Sequence, residues 1–192
     1  MLMSFASTDS ITARIGAAAW FVVPIAWSLS VVLDRTREWE GLPQLFWMVG
    51  ALALVVAGAI QLVMVLRTTR PVRGASTRAG IAILGLGLAA SMAVGWAVLI
   101  WLALYAVGML LVGAGSSSRV ASLIGVSFAT GTGAFVLLTI LKVGRPDSYG
   151  DYPIAWISSF LTGTVGAGIG MLFWSQRAAE VANAPIDATA AV

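Results

Sequence analysis

The chain contains no cysteine and no histidine. The first absence excludes disulfides and thiol chemistry, and together they exclude a Cys/His zinc site and His-ligated haem. The second also removes the commonest general base and proton shuttle. Charge is scarce: 10% of the residues are charged, against about 25% in a soluble globular domain. No Asp or Glu lies between Glu40 and Asp147, and the forty residues between Arg78 and Arg119 contain no charge, proline, Asn or Gln. A proton relay, an ion-coupled carrier and a voltage sensor all keep charged side chains at mid-depth in the bilayer despite several kcal/mol of cost. Here every charge falls at the end of an apolar stretch or between two of them.

What is present is apolar. Such residues make up 59% of the chain and its mean hydropathy is +0.96. So little polar surface cannot cover a water-facing fold, so lipid is the expected solvent for most of it. The 192 residues leave room for one membrane domain and no sizeable soluble one. All basic residues but Lys142 are arginine, and Ala, Gly and Val abound, which suggests a GC-rich bacterial genome and hence a bacterial cytoplasmic membrane. The pI near 10.0 reflects eleven cations against eight acids; no nucleic-acid partner is implied.

The expected organisation is a cytoplasmic segment (1–14), a transmembrane helical bundle (15–174) and a cytoplasmic tail (175–192) with a short helical end before disorder. Ser10 is placed to cap a helix running into the first span, 15–33. One Arg before an apolar run resembles a signal peptide, but the stretch outlasts a usual signal core and is read as a retained span. Pro24 within it predicts a kink. A second span, 45–66, holds Gln61, expected to bond a neighbouring helix or the interface. Arg67, Arg70, Arg73 and Arg78 follow with no acid among them, so the positive-inside rule puts this loop and both termini in the cytoplasm. Anionic lipid is the partner expected there.

The uncharged run, 79–118, is too long for one crossing. A single helix of about 34 residues would reach roughly 50 Å, against a hydrocarbon core of about 30 Å. It would also bury Trp96, Trp101 and Tyr105 at mid-depth. A hairpin of spans 79–96 and 99–115, turning at Gly95–Val98, puts Trp96 and Trp101 at the outer surface, where aromatic belts form. Counting basic residues does not separate five crossings from six; helix length and aromatic placement favour six. Spans 120–141 and 153–174 complete an all-α bundle. They carry the small-residue stripes Ala121, Gly125, Ala129, Gly133 and Ser158, Thr162, Gly166, Gly170, expected to mate with each other or with a second protomer.

Three constellations bear on chemistry. Gly85-Leu86-Gly87-Leu88-Ala89-Ala90 has the letters of a dinucleotide fingerprint but lacks the following acid, and is read as part of a glycine-rich span. The external loop holding Asp147, Tyr149, Asp151 and Tyr152 is the best ligand or partner candidate. With Asp34, Glu38 and Glu40 it could gather oxygens for a divalent cation, but turn chemistry and interface anchoring explain the same residues. The arginine-only loop is the third, as an anionic-lipid contact. Together with the Gly-Trp turn and the Asp-Ser-Tyr-Gly-Asp-Tyr-Pro loop, it resembles the small six-helix bacterial integral membrane proteins of unassigned function. The resemblance implies six spans and no activity. The spans lack nucleophile–base pairs, so an enzyme is not expected, and neither a cofactor nor a metal. The sequence favours a non-catalytic accessory, scaffold or sensor component, with a small carrier or channel for a neutral or lipidic solute as the alternative.

Overall fold

The computed structural model describes residues 2–36, 41–69, 74–93, 98–144 and 153–183, and every regular element in them is helical. In chain order these are α1 (Leu2–Thr36), α2 (Leu42–Thr68), α3 (Ala75–Ala93), α4 (Val98–Ser116), α5 (Arg119–Ile140), α6 (Pro153–Phe160) and α7 (Gly166–Asn183). A five-residue π-helical turn, Leu161–Val165, joins α6 to α7.

Local chemistry sets the boundaries. Gly41, at φ 87°, and Pro43 in the first turn launch α2. At its other end the Thr68 and Thr69 hydroxyls donate to carbonyls of the preceding turn. The Ser118 hydroxyl caps α5 by accepting the Ala121 N–H. That helix closes in a Schellman motif: Lys142 at φ 51° donates to the Thr139 carbonyl and Val143 to that of Leu138. Ser10 is not a cap. Helix α1 runs through it and through Pro24 without a break.

The uncharged run folds back on itself. Helices α3 and α4, of 19 residues each, pack side by side, and residues 94–97 between them, including Trp96, lie outside the described residues. A Cβ on Gly80 would lie 2.7 Å from the Gly108 carbonyl oxygen and 2.9 Å from the Val112 nitrogen. The two backbones therefore touch where neither has a side chain. Gly85 and Gly87 sit inside α3, with no strand or phosphate-cradling turn. By length and composition four helices can cross a membrane, α1, α2, α5 and the joined α6–α7; α3 and α4 are shorter and apolar.

Successive helices pack antiparallel, so their ends gather in two layers. Arg67 at the end of α2 meets Asp9 near the start of α1, and Arg14 reaches Ser175 in α7. Gly113 in α4 abuts Ser122 in α5. At the opposite end the Ser30 hydroxyl donates to the Pro43 carbonyl, and the Trp27 indole to that of Trp47.

An aromatic column fills the middle. Trp20 meets Tyr105 edge-on at 5.7 Å between centroids and Phe128 at 5.2 Å. Tyr105 stacks on Phe128 and meets Trp101 edge-on. Trp27 links Trp101 to Phe160, and Trp156 continues the chain to Phe135. Each such pair adds about 0.5–1.5 kcal/mol beyond area burial. Trp101 is fully buried here, which corrects its expected place in an interfacial belt: it lies in the first turn of α4 but faces Trp27 and Tyr105 inside the bundle. Outside, Ile11, Ile25, Met48, Leu52, Leu86, Leu123 and Ile140 are among many exposed large apolar side chains. A continuous apolar exterior of this kind suits lipid.

The small-residue stripes pair only in part. Gly166 and Gly170 receive Ser127 and Ile124 of α5, whereas Gly125 receives Leu110 of α4 and Gly133 meets nothing within 4 Å. The tight contact of α5 with the α6–α7 rod is at Gly131, whose Cβ would lie 2.7 Å from the Ser159 carbonyl oxygen and 3.0 Å from the Gly163 nitrogen. Gly131→Ala is therefore expected to lower stability by about 1–3 kcal/mol through overpacking against backbone. Gly133→Ala should be neutral or slightly stabilising. Thermal unfolding of the two variants in detergent checks this, and equal midpoints would refute the contact.

Candidate functional site: a basic face and a buried polar core

One layer of helix ends is basic. The start of α1, the end of α2, the start of α3, the α4–α5 turn and the last turns of α7 bring together Arg14, Arg67, Arg78, Arg119 and Arg177. Among the described side chains only Asp9 and Glu180 oppose them there. Helix packing determines which of these cations are engaged. Asp9 lies one turn before Ala13, which is buried, and its carboxylate pairs with Arg67. Both partners are partly exposed, 27% and 47%, so the pair is worth at most about 1 kcal/mol. The Arg14 Nε donates to the Ser175 hydroxyl at 3.1 Å, and that hydroxyl lies 3.0 Å from the hydroxyl of Ser10. Ser10 and Ser175 are buried, so this three-residue network ties α1 to α7.

Of the arginines expected to contact anionic lipid, Arg67 is thus held by Asp9, while Arg78 is exposed and makes no ion pair with any described residue. Arg70 and Arg73 lie outside the described residues. So do Asp147, Tyr149, Asp151 and Tyr152, together with Glu38 and Glu40; of the expected external acids only Asp34, exposed near the end of α1, is described.

Three features of this face are invisible to local sequence reading. Asp9 was an isolated acid 58 residues from its partner, Ser10 pointed to a cap, and Arg119 read as one more topogenic charge. Only a pairing of α1 with both α2 and α7 makes the first two meaningful. The signal available for Arg119 was its position directly after a Ser-Ser-Ser turn and before an apolar helix.

The second constellation lies in the core. Helix α2 buries Leu54, Ala57, Gly58, Gln61, Met64 and Val65 on one face. Gln61 is fully buried, and neither its Oε1 nor its Nε2 has a hydrogen-bond partner. It bonds neither a neighbouring helix nor the interface, contrary to expectation, because the face it shares with Met64 turns into the bundle. One turn away the Tyr105 hydroxyl fits against Gly58, where a side chain would block it. This hydroxyl approaches Ser91, whose own hydroxyl is committed to the Leu88 carbonyl, without completing a hydrogen bond. The indole N–H groups of Trp20 and Trp101 are likewise buried and unpartnered. These groups are neutral at ordinary pH. Chemically these four side chains offer hydrogen-bond donors and one amide acceptor to the core.

A buried carboxamide without partners costs about 1–3 kcal/mol. Gln61→Leu, of similar volume, is therefore expected to raise the thermal midpoint in detergent, by an amount equivalent to about 1–2 kcal/mol. A lowered midpoint would mean that the carboxamide is hydrogen-bonded in the folded protein.

No family model, no curated protein and no solved structure matches this chain, so a functional reading rests on its own geometry.

Proposed function

We propose that the chain is a six-crossing protein of the bacterial cytoplasmic membrane, with both termini and the basic face in the cytoplasm, acting as a non-catalytic accessory, scaffold or sensor component. The observation that carries this reading is the aromatic column from Trp20 through Phe128, Tyr105, Trp101 and Trp27 to Phe160, which occupies the axis where a solute path would run. Six crossings are supported by the lengths of α3 and α4. Nineteen residues each, at 1.5 Å per residue, give about 28 Å, close to the thickness of the hydrocarbon core. Their antiparallel contact returns the chain to the basic layer before α5 begins.

The basic face then meets the headgroups of the inner leaflet. Each arginine there contributes about 1 kcal/mol of attraction to an anionic surface, and Arg78, which pairs with no carboxylate among the described residues, is the described member of the Arg67–Arg78 loop with its charge uncommitted. A second reading, a carrier for a small neutral solute, is favoured by one observation: Gln61, Tyr105, Trp20 and Trp101 present unpartnered hydrogen-bonding groups within the core.

Two experiments separate these readings. Under the first, proteoliposomes shrunk by an inward glycerol or urea gradient re-swell at the rate of protein-free liposomes, measured by stopped-flow light scattering; faster re-swelling with the wild-type protein would replace it with the carrier reading. Topology is tested by single cysteines, since the chain has none of its own. With six crossings, a membrane-impermeant maleimide added to intact cells labels Lys142→Cys and spares Ser117→Cys, both exposed positions. The reverse pattern would mean five.

A further inference from the structure

Where α4 gives way to α5, the surface carries a shallow groove of about 510 Å³ whose lining includes Gly113, Ser117, Arg119, Ser122, Leu123 and Val126. Its shape follows from the sequence. The last turn of α4 is Gly113-Ala114-Gly115-Ser116, and the Ser116 hydroxyl folds back onto the Val112 carbonyl, so the turn presents little side-chain wall. Gly113 approaches α5 so closely that a Cβ on it would lie 2.8 Å from the Ser122 nitrogen. The helices thus touch at their bases and leave a trough on the outer side.

Along that trough polarity changes in one direction. Arg119 is the first residue of α5, and Ser122, Leu123 and Val126 follow it at helical spacings of three, four and seven, on one face. The Arg119 side chain is exposed and forms no ion pair with any described residue, unlike Arg67. Ser117 lies across from it on the connecting turn. Below them Leu123 and Val126 are 56% and 52% exposed to the surroundings of the bundle. A cation and two hydroxyls therefore stand at the rim, at the N-terminal and electropositive end of a 22-residue helix. Apolar side chains continue the groove away from that rim. A phospholipid has the same sequence of chemistry along its length: an anionic phosphate, polar ester linkages, then hydrocarbon.

We propose that this groove is a binding site for one anionic phospholipid, its phosphate held by Arg119 with the hydroxyls of Ser117 and Ser122, and an acyl chain lying over Leu123 and Val126. The proposal rests on the membrane reading above and concerns a different place from the Arg67–Arg78 loop. What selects anionic lipid is the uncompensated Arg119 charge; what selects lipid over a free anion is the apolar continuation of the groove.

Native mass spectrometry of the purified protein, released from detergent with equimolar phosphatidylglycerol and phosphatidylcholine of identical acyl chains, tests it. Wild type should retain phosphatidylglycerol about fivefold over phosphatidylcholine, corresponding to about 1 kcal/mol for one arginine at an anionic headgroup. Arg119→Gln should abolish that preference, Arg119→Lys should keep part of it, and Lys142→Gln at the opposite end should leave it intact. A phosphatidylglycerol carrying a diazirine in its acyl chain should label the Arg119–Val126 stretch in wild type and lose that label in Arg119→Gln. Arg119 is exposed, so each variant should keep the wild-type thermal midpoint. If Arg119→Gln retains the preference and the label, the groove proposal is overturned and the membrane reading stands. If millimolar inorganic phosphate displaces the lipid completely, the site is an anion site and the lipid assignment fails. If the wild-type protein stays monodisperse in buffer without detergent, the membrane reading itself fails.

Discussion

The backbone contact between α3 and α4 at Gly80 and Gly108 governs everything after α2. An uncharged stretch of forty residues offers no signal for turning except its excess length, and two helices gain nothing from the hydrophobic effect when lipid surrounds them. What holds them together is close approach: dispersion between surfaces that touch, and carbonyl oxygens near Cα hydrogens. Gly80 and Gly108 make this possible because each leaves the other's backbone uncovered, while Leu84 fits over Gly108. With the run folded in this way, α5 starts in the same layer as α1 and α3, and α6–α7 can lie against α1. A longer single helix would have put α5 on the wrong side of both.

The aromatic column uses a different resource. Under the membrane reading, water does not drive large rings inward, so their interior position depends on fit. Tyr105 stacks on Phe128, crosses Trp20 at a right angle and ends against Gly58; each ring is held by several others. The same arrangement strands polar tips. The Trp20 and Trp101 indoles and the Tyr105 hydroxyl point into surroundings built for their ring faces. Packing wins locally because the rings have many contacts and the tips have one atom each.

The helices and their rough limits were legible because hydropathy and length are local properties, and four of them are long and apolar enough to cross a membrane. The ends of α2, α4 and α5 fall within three residues of those expected from the apolar stretches. Which face of each helix turns inward was not legible. Helices such as α4 are apolar all round, so periodicity carries no direction, and Trp101 could be read as an anchor as easily as a core residue. The stripe in α5 held only in part for the same reason: Gly125 and Gly133 share a face by spacing, yet α5 crosses α4 and the α6–α7 rod at different heights, so Gly125 packs on α4, Gly131 on the rod and Gly133 on neither. The basic face was legible as charge and illegible as geometry, because the contacts of Arg14 and Arg67 are with residues 161 and 58 positions away. Arg119 stood out only once those others were seen to be engaged.

The π turn between α6 and α7 has a consequence for how the last rod meets its neighbours. Five residues, Leu161–Val165, are wound more loosely than an α-helix, and each residue of an α-helix advances the azimuth by about 100°. The turn therefore resets the phase of α7 relative to α6. On the near side Trp156 and Phe160 are aimed at Phe135 and Trp27. On the far side Gly168 is aimed at Phe21 and Ser175 at Ser10. No uniform α-helix need satisfy both sets at once, because the two halves of the rod present their faces at independent azimuths. The π turn thus lets one rod meet the aromatic column and the basic face, each with the side chains it needs there.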